Sequence, residues 1–151
     1  MATARFDASG SARKGKVLIV DDQEAVRDLL KAILESDYEV TEVDSGAALL
    51  AALDAEQPDV VLLDLKLPDA NGLNLLSAIF ERWPGTQVII LTGALADSEA
   101  MTRAVEAVNR GAFGLLIKSV DFDCQKLLAG VSSALDRRCQ VGSNPKLRPR
   151  V

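Results

Sequence analysis

Short apolar runs alternate along this chain with longer stretches in which apolar residues recur at helical spacing. The runs at 17–20 and 88–91 contain only Val, Ile and Leu, which is typical of strands covered on both faces. Alternation of such runs with helical stretches indicates βαβ units around a parallel sheet. The sequence therefore predicts an α/β fold, a doubly wound five-stranded parallel sheet with helices on both faces. The predicted strands are 16–21, 38–43, 59–64, 86–92 and 113–118.

Start and stop signals indicate where the helices lie. Ser45 precedes an Ala- and Leu-rich run that ends before Pro58, and Asp97 precedes an apolar stripe that Gly111 terminates. A last amphipathic helix is predicted from about residue 122 to residue 138. We therefore predict a flexible N-terminal segment over 1–15, one folded domain over 16–138 and a basic flexible tail or linker over 139–151.

Composition and charge narrow the class of protein. The chain has 151 residues, enough for one domain, and no histidine, which excludes Ser-His-Asp catalysis and zinc sites built on histidine. The net charge is −5, and residues 16–138 alone carry −10. An acidic body argues against direct binding of nucleic acid, because phosphate contacts require clustered Lys and Arg. No apolar run approaches the roughly 20 residues of a membrane span, and no secretory signal is recognisable, so we expect a cytoplasmic protein.

Polar side chains end four of the five predicted strands. Asp21 and Asp22 follow the first strand, Asp64 ends the third, Thr92 ends the fourth and Lys118 ends the fifth. Right-handed crossovers bring these ends to one edge of the sheet, where open α/β folds bind their ligands. We therefore expect the five side chains to share one site.

These side chains together indicate a phosphoryl-transfer site. Converging carboxylates repel one another, and a divalent cation relieves that repulsion. Mg²⁺ suits such an all-oxygen set and keeps positions open for phosphate oxygens. A carboxylate, a hard metal, a lysine and a hydroxyl are the groups needed to transfer a phosphoryl group onto an aspartate. Asp64 is the best candidate nucleophile, because it ends the central strand and precedes a loop that can lend a carbonyl, whereas Asp21 and Asp22 are better placed to hold the metal.

Four segments in order resemble the receiver domains of two-component response regulators. They are VLIVDD at 17–22, VVLLDLKLPDANG at 60–72, ILTG at 90–93, and the Gly111-Ala112 pair that leads to Lys118. The resemblance covers about residues 16–138 and implies the flavodoxin-like strand order 2-1-3-4-5. It also implies a signalling switch rather than an enzyme. Its phosphoryl donor would be a phosphohistidine of a sensor histidine kinase or histidine phosphotransfer protein, and its output would pass to a downstream protein effector.

The resemblance further implies a role for each residue of the site. Asp64 would be the phosphoacceptor and a Mg²⁺ ligand, Asp22 would bind Mg²⁺ directly, and Asp21 would bind it mainly through water. Lys66 would give its backbone carbonyl to the metal. Lys118 would pair with the acceptor carboxylate and then with the phosphoryl group. Thr92 would swing inward to bond a phosphoryl oxygen, and a homodimer through the last helices and strand is compatible with the resemblance.

Two positions depart from the family pattern. Ser119 follows Lys118 where proline is usual, and Leu115 stands where Tyr or Phe is usual. These departures slightly favour an alternative, a receiver-like scaffold that binds partner proteins without being phosphorylated. The five intact residues of the site argue against that alternative. An aspartate phosphatase needs a second acid two residues after the nucleophile, where Lys66 stands instead. A nucleotide or flavin binder needs a glycine-rich phosphate loop at the start of a helix, and this sequence has none.

Overall fold

Five parallel strands form the central sheet of the protein. The computed structural model describes residues 5–6, 12–13, 15–93, 98–118 and 124–143. In these ranges the sheet has the order β2-β1-β3-β4-β5. The strands are β1 (Lys16–Val20), β2 (Glu39–Val43), β3 (Val60–Asp64), β4 (Gln87–Thr92) and β5 (Gly114–Ile117). The predicted strands and the order 2-1-3-4-5 are confirmed.

Helices flank the sheet, and those predicted after Ser45, after Asp97 and from about residue 122 lie close to their predicted positions. The helices are α1 (Glu24–Leu34), α2 (Gly46–Glu56), α3 (Gly72–Arg82), α4 (Ser98–Asn109) and α5 (Cys124–Ser143). The Ser45 hydroxyl accepts a hydrogen bond from the Ala48 N–H at 3.1 Å, and Gly111 adopts a φ of 120° after α4. In the ranges that the structure describes, no helix is both long and apolar enough to cross a membrane.

The last helix extends further than predicted. It ends at Ser143, so Gly142 and Ser143, which the sequence suggests as part of a linker, are its final residues. Within residues 1–15, predicted to be flexible, Arg5–Phe6 pairs with Ala12–Arg13 as a short antiparallel ladder. The rest of the predicted tail, residues 144–151, falls outside the described ranges.

Apolar side chains cover both faces of the sheet. Alternate strand residues such as Leu18, Val61 and Ile90 pack on one face against α2, α3 and α4. Their neighbours, including Ile19 and Leu62, pack on the other face against α1 and α5. Each fully buried aliphatic side chain contributes about 1.5–3 kcal/mol. The two layers thus fix the register of the strands and, with it, the positions of the residues at their carboxyl ends.

Candidate functional site

The polar residues that end the strands lie together at one edge of the sheet. Asp21, Asp64 and Thr92 are buried, with 0%, 4% and 4% of their surface exposed, whereas Asp22 is exposed. A cleft of about 410 Å³ opens above them, and its lining includes Asp22, Asp64, Thr92 and Lys118. The structure therefore brings together all five side chains that the sequence indicates.

Lys118 connects the two buried carboxylates. Its Nζ donates to Asp21 Oδ2 at 2.9 Å and to Asp64 Oδ2 at 3.1 Å. The Lys118 N–H also donates to the Thr92 carbonyl at 2.7 Å, which fixes the lysine at the end of β5. Burial by itself lowers the pKa of Lys118, but its hydrogen bond to Asp21 and the charge of Asp64 outweigh burial and raise the pKa overall. Lys118 is therefore a fixed positive charge beneath the cleft.

Main-chain N–H groups orient the same two carboxylates from the other side. Gln23 N donates to Asp21 Oδ1 at 2.8 Å, and Lys66 N donates to Asp64 Oδ1 at 2.9 Å. In both bonds the donor is the backbone N–H two residues after the aspartate. This arrangement is an Asx turn, which Asp side chains favour. Burial raises the pKa of Asp64, although the Lys66 N–H and Lys118 oppose the shift. Asp64 is thus held in one orientation and largely stripped of water.

Three carboxylates at this edge fit a divalent cation. Asp21, Asp22 and Asp64 each offer one oxygen, and these oxygens lie within 4.8 Å of one another. Carboxylate oxygens are the ligands that Mg²⁺ prefers, and a cation relieves the repulsion that Lys118 alone offsets only in part. The donor set therefore suits Mg²⁺, while the part that each residue takes in binding it stays a prediction.

The hydroxyl of Thr92 lies among the residues that end the strands. Its Oγ1 is buried and has no hydrogen-bond partner among the described residues. A buried polar group without a partner costs about 1–3 kcal/mol, so such groups are rare unless they serve another purpose. An oxygen that enters the cleft beside Thr92 would satisfy this hydroxyl.

A tight hairpin after β3 sets the backbone of Lys66. Lys66–Leu67 pairs antiparallel with Ala70–Asn71. At the tip, the Asp69 carboxylate accepts from Gly46 N at 2.9 Å and from Ala47 N at 3.1 Å. Asp69 thereby caps the N-terminus of α2, which ties the hairpin to a neighbouring helix.

The far end of this hairpin leads directly into α3. The side-chain oxygen of Asn71 caps the helix by accepting from Leu73 N at 2.9 Å. At Gly72 an added Cβ would lie 2.5 Å from Leu65 Cα, a distance that real structures do not tolerate. Glycine is required at Gly72 because the backbones of Leu65 and Gly72 approach so closely. Both ends of the loop that carries Lys66 are therefore anchored.

Of the two positions that depart from the family pattern, the structure describes Leu115 but not Ser119. Leu115 is half-buried and packs against the apolar cluster that includes residues of α4, while Phe113, the residue before β5, is 38% exposed. The aliphatic side chain of Leu115 thus fills the position where the family usually has an aromatic ring. Ser119 falls outside the described ranges.

Sequence reasoning missed two arginines near the site. Arg103 of α4 lines the cleft, and Arg27 of α1 donates from Nη1 to the Asp21 carbonyl at 2.7 Å. The only local signal at Arg103 is its spacing of four residues from Glu99, which is typical of a solvated helix pair. Neither arginine follows a strand, so a search of strand ends does not find them.

Comparison with known proteins identifies the family. Residues 17–131 match the family model of the response regulator receiver domain. The chain belongs to this family, and it is a receiver domain of two-component signalling. The matched range includes every residue of the site described above.

Individual relatives support the same assignment. The chain is 41% identical over 112 residues to the DNA-binding transcriptional regulator NtrC of Proteus hauseri, covering 74% of this chain and 23% of the relative. It is 36% identical over 140 residues to the DNA-binding transcriptional activator DevR/DosR of Mycobacterium tuberculosis, covering 88% and 63%. The CheY-like receiver domain protein of Methanospirillum hungatei JF-1 superposes with a TM-score of 0.73 at 32% identity, covering 85% of this chain and 98% of that one. The chain thus spans less than two thirds of the length of these two curated relatives.

Proposed function

We propose that Asp64 accepts a phosphoryl group from a phosphohistidine of a sensor histidine kinase or histidine phosphotransfer protein, in a Mg²⁺-dependent reaction. One observation carries the proposal: Lys118 bonds both Asp21 and Asp64 inside a cluster of three carboxylates. The domain acts as a phosphorylatable switch rather than as an enzyme with a diffusible substrate.

The chemistry at Asp64 is a transfer between two nucleophiles. A carboxylate oxygen of Asp64 forms a bond to phosphorus while the phosphorus–nitrogen bond to the donor histidine breaks, and that electron pair returns to the imidazole nitrogen. The product is an acyl phosphate. Lys118 offsets the charge on the phosphoryl oxygens, and the Thr92 hydroxyl donates a hydrogen bond to one of them. Thr92 is buried and the Lys118 side chain is only 12% exposed at this edge, so little reorganisation is needed.

The residues that would hold Mg²⁺ are Asp22, Asp64 and the backbone carbonyl of Lys66, with Asp21 acting through water. When bound, the ion supplies positive charge that neutralises phosphoryl oxygens during transfer. The exposure of Asp22 and the burial of Asp21 are consistent with a direct and an indirect role. The anchored hairpin keeps the Lys66 backbone beside Asp64.

The output passes to a downstream protein effector in the cytoplasm. The α4, β5 and α5 side of the domain carries the exposed apolar residues Val105, Val108 and Phe113, which suit an effector or a second copy of the chain. Residues 16–138 carry a charge of −10, so we propose that this domain does not itself contact nucleic acid.

Intact-mass measurement after treatment with acetyl phosphate and Mg²⁺ tests the proposal. The wild-type chain is expected to gain the mass of one phosphoryl group, and chelation of Mg²⁺ should prevent the gain. Asp64→Asn should gain nothing. Asp54→Asn, at an exposed position of α2, is the matched control and should behave as wild type.

An unmodified wild-type chain would favour the alternative, a receiver-like scaffold that works without phosphorylation. A gain of mass that persists in Asp64→Asn would mean that another residue accepts the phosphoryl group. Treatment with hydroxylamine, which cleaves acyl phosphates, should remove the added mass and separates an aspartyl phosphate from a phosphorylated hydroxyl.

A further inference from the structure

A second cation borders the mouth of the acidic cleft. Arg103, on the second turn of α4, lines the cleft that contains Asp22, Asp64 and Lys118. It also lines the adjoining depression formed by Asp22 and the hairpin after β3. Arg103 therefore borders both openings with a side chain that is 39% exposed, whereas the Lys118 side chain is only 12% exposed.

The present partner of Arg103 holds it weakly. Its Nη2 lies 2.9 Å from Glu99 Oε1, one turn earlier in α4, and the two side chains are 39% and 73% exposed. Exposed pairs at this spacing contribute only about 0.3–0.5 kcal/mol. Lys118, in contrast, is 12% exposed and bonds two buried carboxylates. Of these two cations, Arg103 is the one that can leave its partner at little cost.

A phosphoryl group on Asp64 would compete strongly for this guanidinium. It carries a charge of about −1.5 to −2 and three acceptor oxygens, against a single negative charge on Glu99. The planar fork of arginine bonds two phosphate oxygens at once, which the ammonium of Lys118 or of Lys66 does not do. The charge and geometry of the group thus match a cation on the open side of the cleft.

We propose that Arg103 exchanges its bond to Glu99 for the phosphoryl group on Asp64 and so becomes a direct ligand of that group. The inference rests on the proposed function, because it requires Asp64 to be the acceptor. It adds a contact from α4 to those from Lys118 and Thr92. Breaking the pair with Glu99 would also couple phosphorylation to the first turns of α4.

The C-terminal end of α4 provides a control pair. Arg110, the residue after the helix, bonds Glu106 at the same spacing and the same 2.9 Å, with side chains 42% and 47% exposed, and it also donates to Ser77 Oγ at 3.3 Å. Arg110 does not line the acidic cleft; it borders a separate depression beside Phe113 and Arg137. Both variants lose an ion pair between residues four positions apart, whereas only the Arg103 variant loses a phosphoryl ligand.

Calorimetric titration with beryllofluoride, a non-covalent substitute for the phosphoryl group, tests the proposal in the presence of Mg²⁺. Because hydrogen bonds to charged groups are among the stronger ones, Arg103→Gln should raise the Kd for beryllofluoride about tenfold. Arg103→Lys should recover only part of this loss. Glu99→Gln, which frees the guanidinium, should lower the Kd, and Arg110→Gln should leave it unchanged.

Two further measurements separate a direct contact from other effects. Titration with Mg²⁺ alone should give Arg103→Gln a Kd equal to or lower than that of wild type, because a positive charge beside the carboxylates has been removed. A merely structural role would weaken Mg²⁺ and beryllofluoride binding together. Lys66→Gln removes a nearby positive charge that is not a proposed ligand. It should lose less affinity for beryllofluoride than Arg103→Gln does.

The proposal is overturned if wild type binds beryllofluoride and Arg103→Gln binds it equally well, or if Arg110→Gln or Lys66→Gln loses as much. In those cases phosphorylation of Asp64 stands without an arginine ligand. If wild type fails to bind beryllofluoride and gains no mass from acetyl phosphate, the proposed function itself is wrong and the role of Arg103 is lost with it.

Discussion

Arg27 donates a hydrogen bond from Nη1 to the main-chain carbonyl of Asp21 at 2.7 Å. The arginine belongs to α1, and Asp21 is the first residue after β1, so this bond connects the helix to the loop that presents Asp22. Arg27 Nε also lies 3.8 Å from Glu42 Oε1 on β2. The other Glu42 oxygen is buried and lacks a partner among the described residues. Arg27 is thus a positioning residue that holds the acidic loop against two elements.

Substitution of Arg27 is expected to affect both stability and metal binding. Arg27→Ala leaves the Asp21 carbonyl without its donor and the half-buried Glu42 carboxylate without its ion pair, which should cost about 1–3 kcal/mol in the free energy of unfolding. It should also raise the Kd for Mg²⁺ severalfold, because the loop of Asp22 is released. Urea unfolding and Mg²⁺ titration measure the two effects. Equal stability of Arg27→Ala and wild type would contradict this assignment.

A second variant separates the two roles of Arg27. Combining Arg27→Ala with Glu42→Gln removes the unpaired charge and should recover part of the lost stability. Mg²⁺ binding should stay weak, since nothing in the double variant replaces the donor to Asp21. Arg110→Ala, at an exposed position just after α4, is expected to change stability by no more than about 0.5 kcal/mol.

Lys118 should stabilise the metal-free protein strongly. Lys118→Met leaves Asp21 and Asp64 buried without their cation, and breaking such a buried pair typically costs about 3–5 kcal/mol. Added Mg²⁺ should restore part of the loss, because it supplies positive charge to the same carboxylates. Chemical unfolding in chelator and in Mg²⁺ measures this difference.

A compensating substitution tests the electrostatic origin of that loss. Asp64→Asn combined with Lys118→Met should be more stable in chelator than Lys118→Met alone, because one uncompensated charge has been removed. If the double variant is the less stable of the two, lost packing of the lysine stem explains the effect instead. Lys66→Met, at an exposed position of the hairpin, is the matched control.

Most of the fold, and the site residues that end the strands, can be predicted from the sequence for one physical reason. Parallel strands covered on both faces must be continuous apolar runs, so a polar residue that ends such a run marks the edge of the sheet. Asp64, Thr92 and Lys118 stand at such points, and the sheet brings them together. The register of the strands and the burial of these side chains depend on apolar packing, which the pattern of apolar residues in the sequence already indicates.

The features that sequence reasoning missed depend on contacts between distant segments. Asp69 caps α2 from 23 positions away, and nothing local to either segment indicates that bond. Arg27 and Arg103 lie on helices where an arginine is ordinary. Arg137 and Arg138 are typical of a helix end, and Gly142 shortly after them suggests a linker, so the sequence predicts an end near residue 138, yet α5 continues to Ser143.

Thr92→Val should separate stability from phosphoryl binding. The buried hydroxyl has no partner among the residues that the structure describes, so replacing it with a methyl group should leave the free energy of unfolding unchanged or raise it by up to about 1 kcal/mol. Binding of beryllofluoride should weaken by about fivefold to tenfold, since one hydrogen bond to its fluorines is lost. Urea unfolding and calorimetry measure the two quantities. A clear loss of stability in Thr92→Val would indicate that the hydroxyl already has a partner in solution.

Asp69 should make the stability of the protein depend on pH in the acidic range. Hydrogen bonds from the Gly46 and Ala47 N–H groups lower the pKa of Asp69 in the folded state. Because the folded pKa is depressed, the stabilisation is complete above the unfolded value of about 3.9 and is lost as the pH falls through the folded pKa. The stability difference between wild type and Asp69→Ala should therefore be constant near neutral pH and shrink below about pH 4.

Ser45→Ala removes the other cap of α2, which does not titrate, and should cost about 1 kcal/mol at every pH. Urea unfolding at several pH values compares the two variants, and a difference for Asp69→Ala that does not change with pH would mean that the carboxylate does not bond the helix terminus.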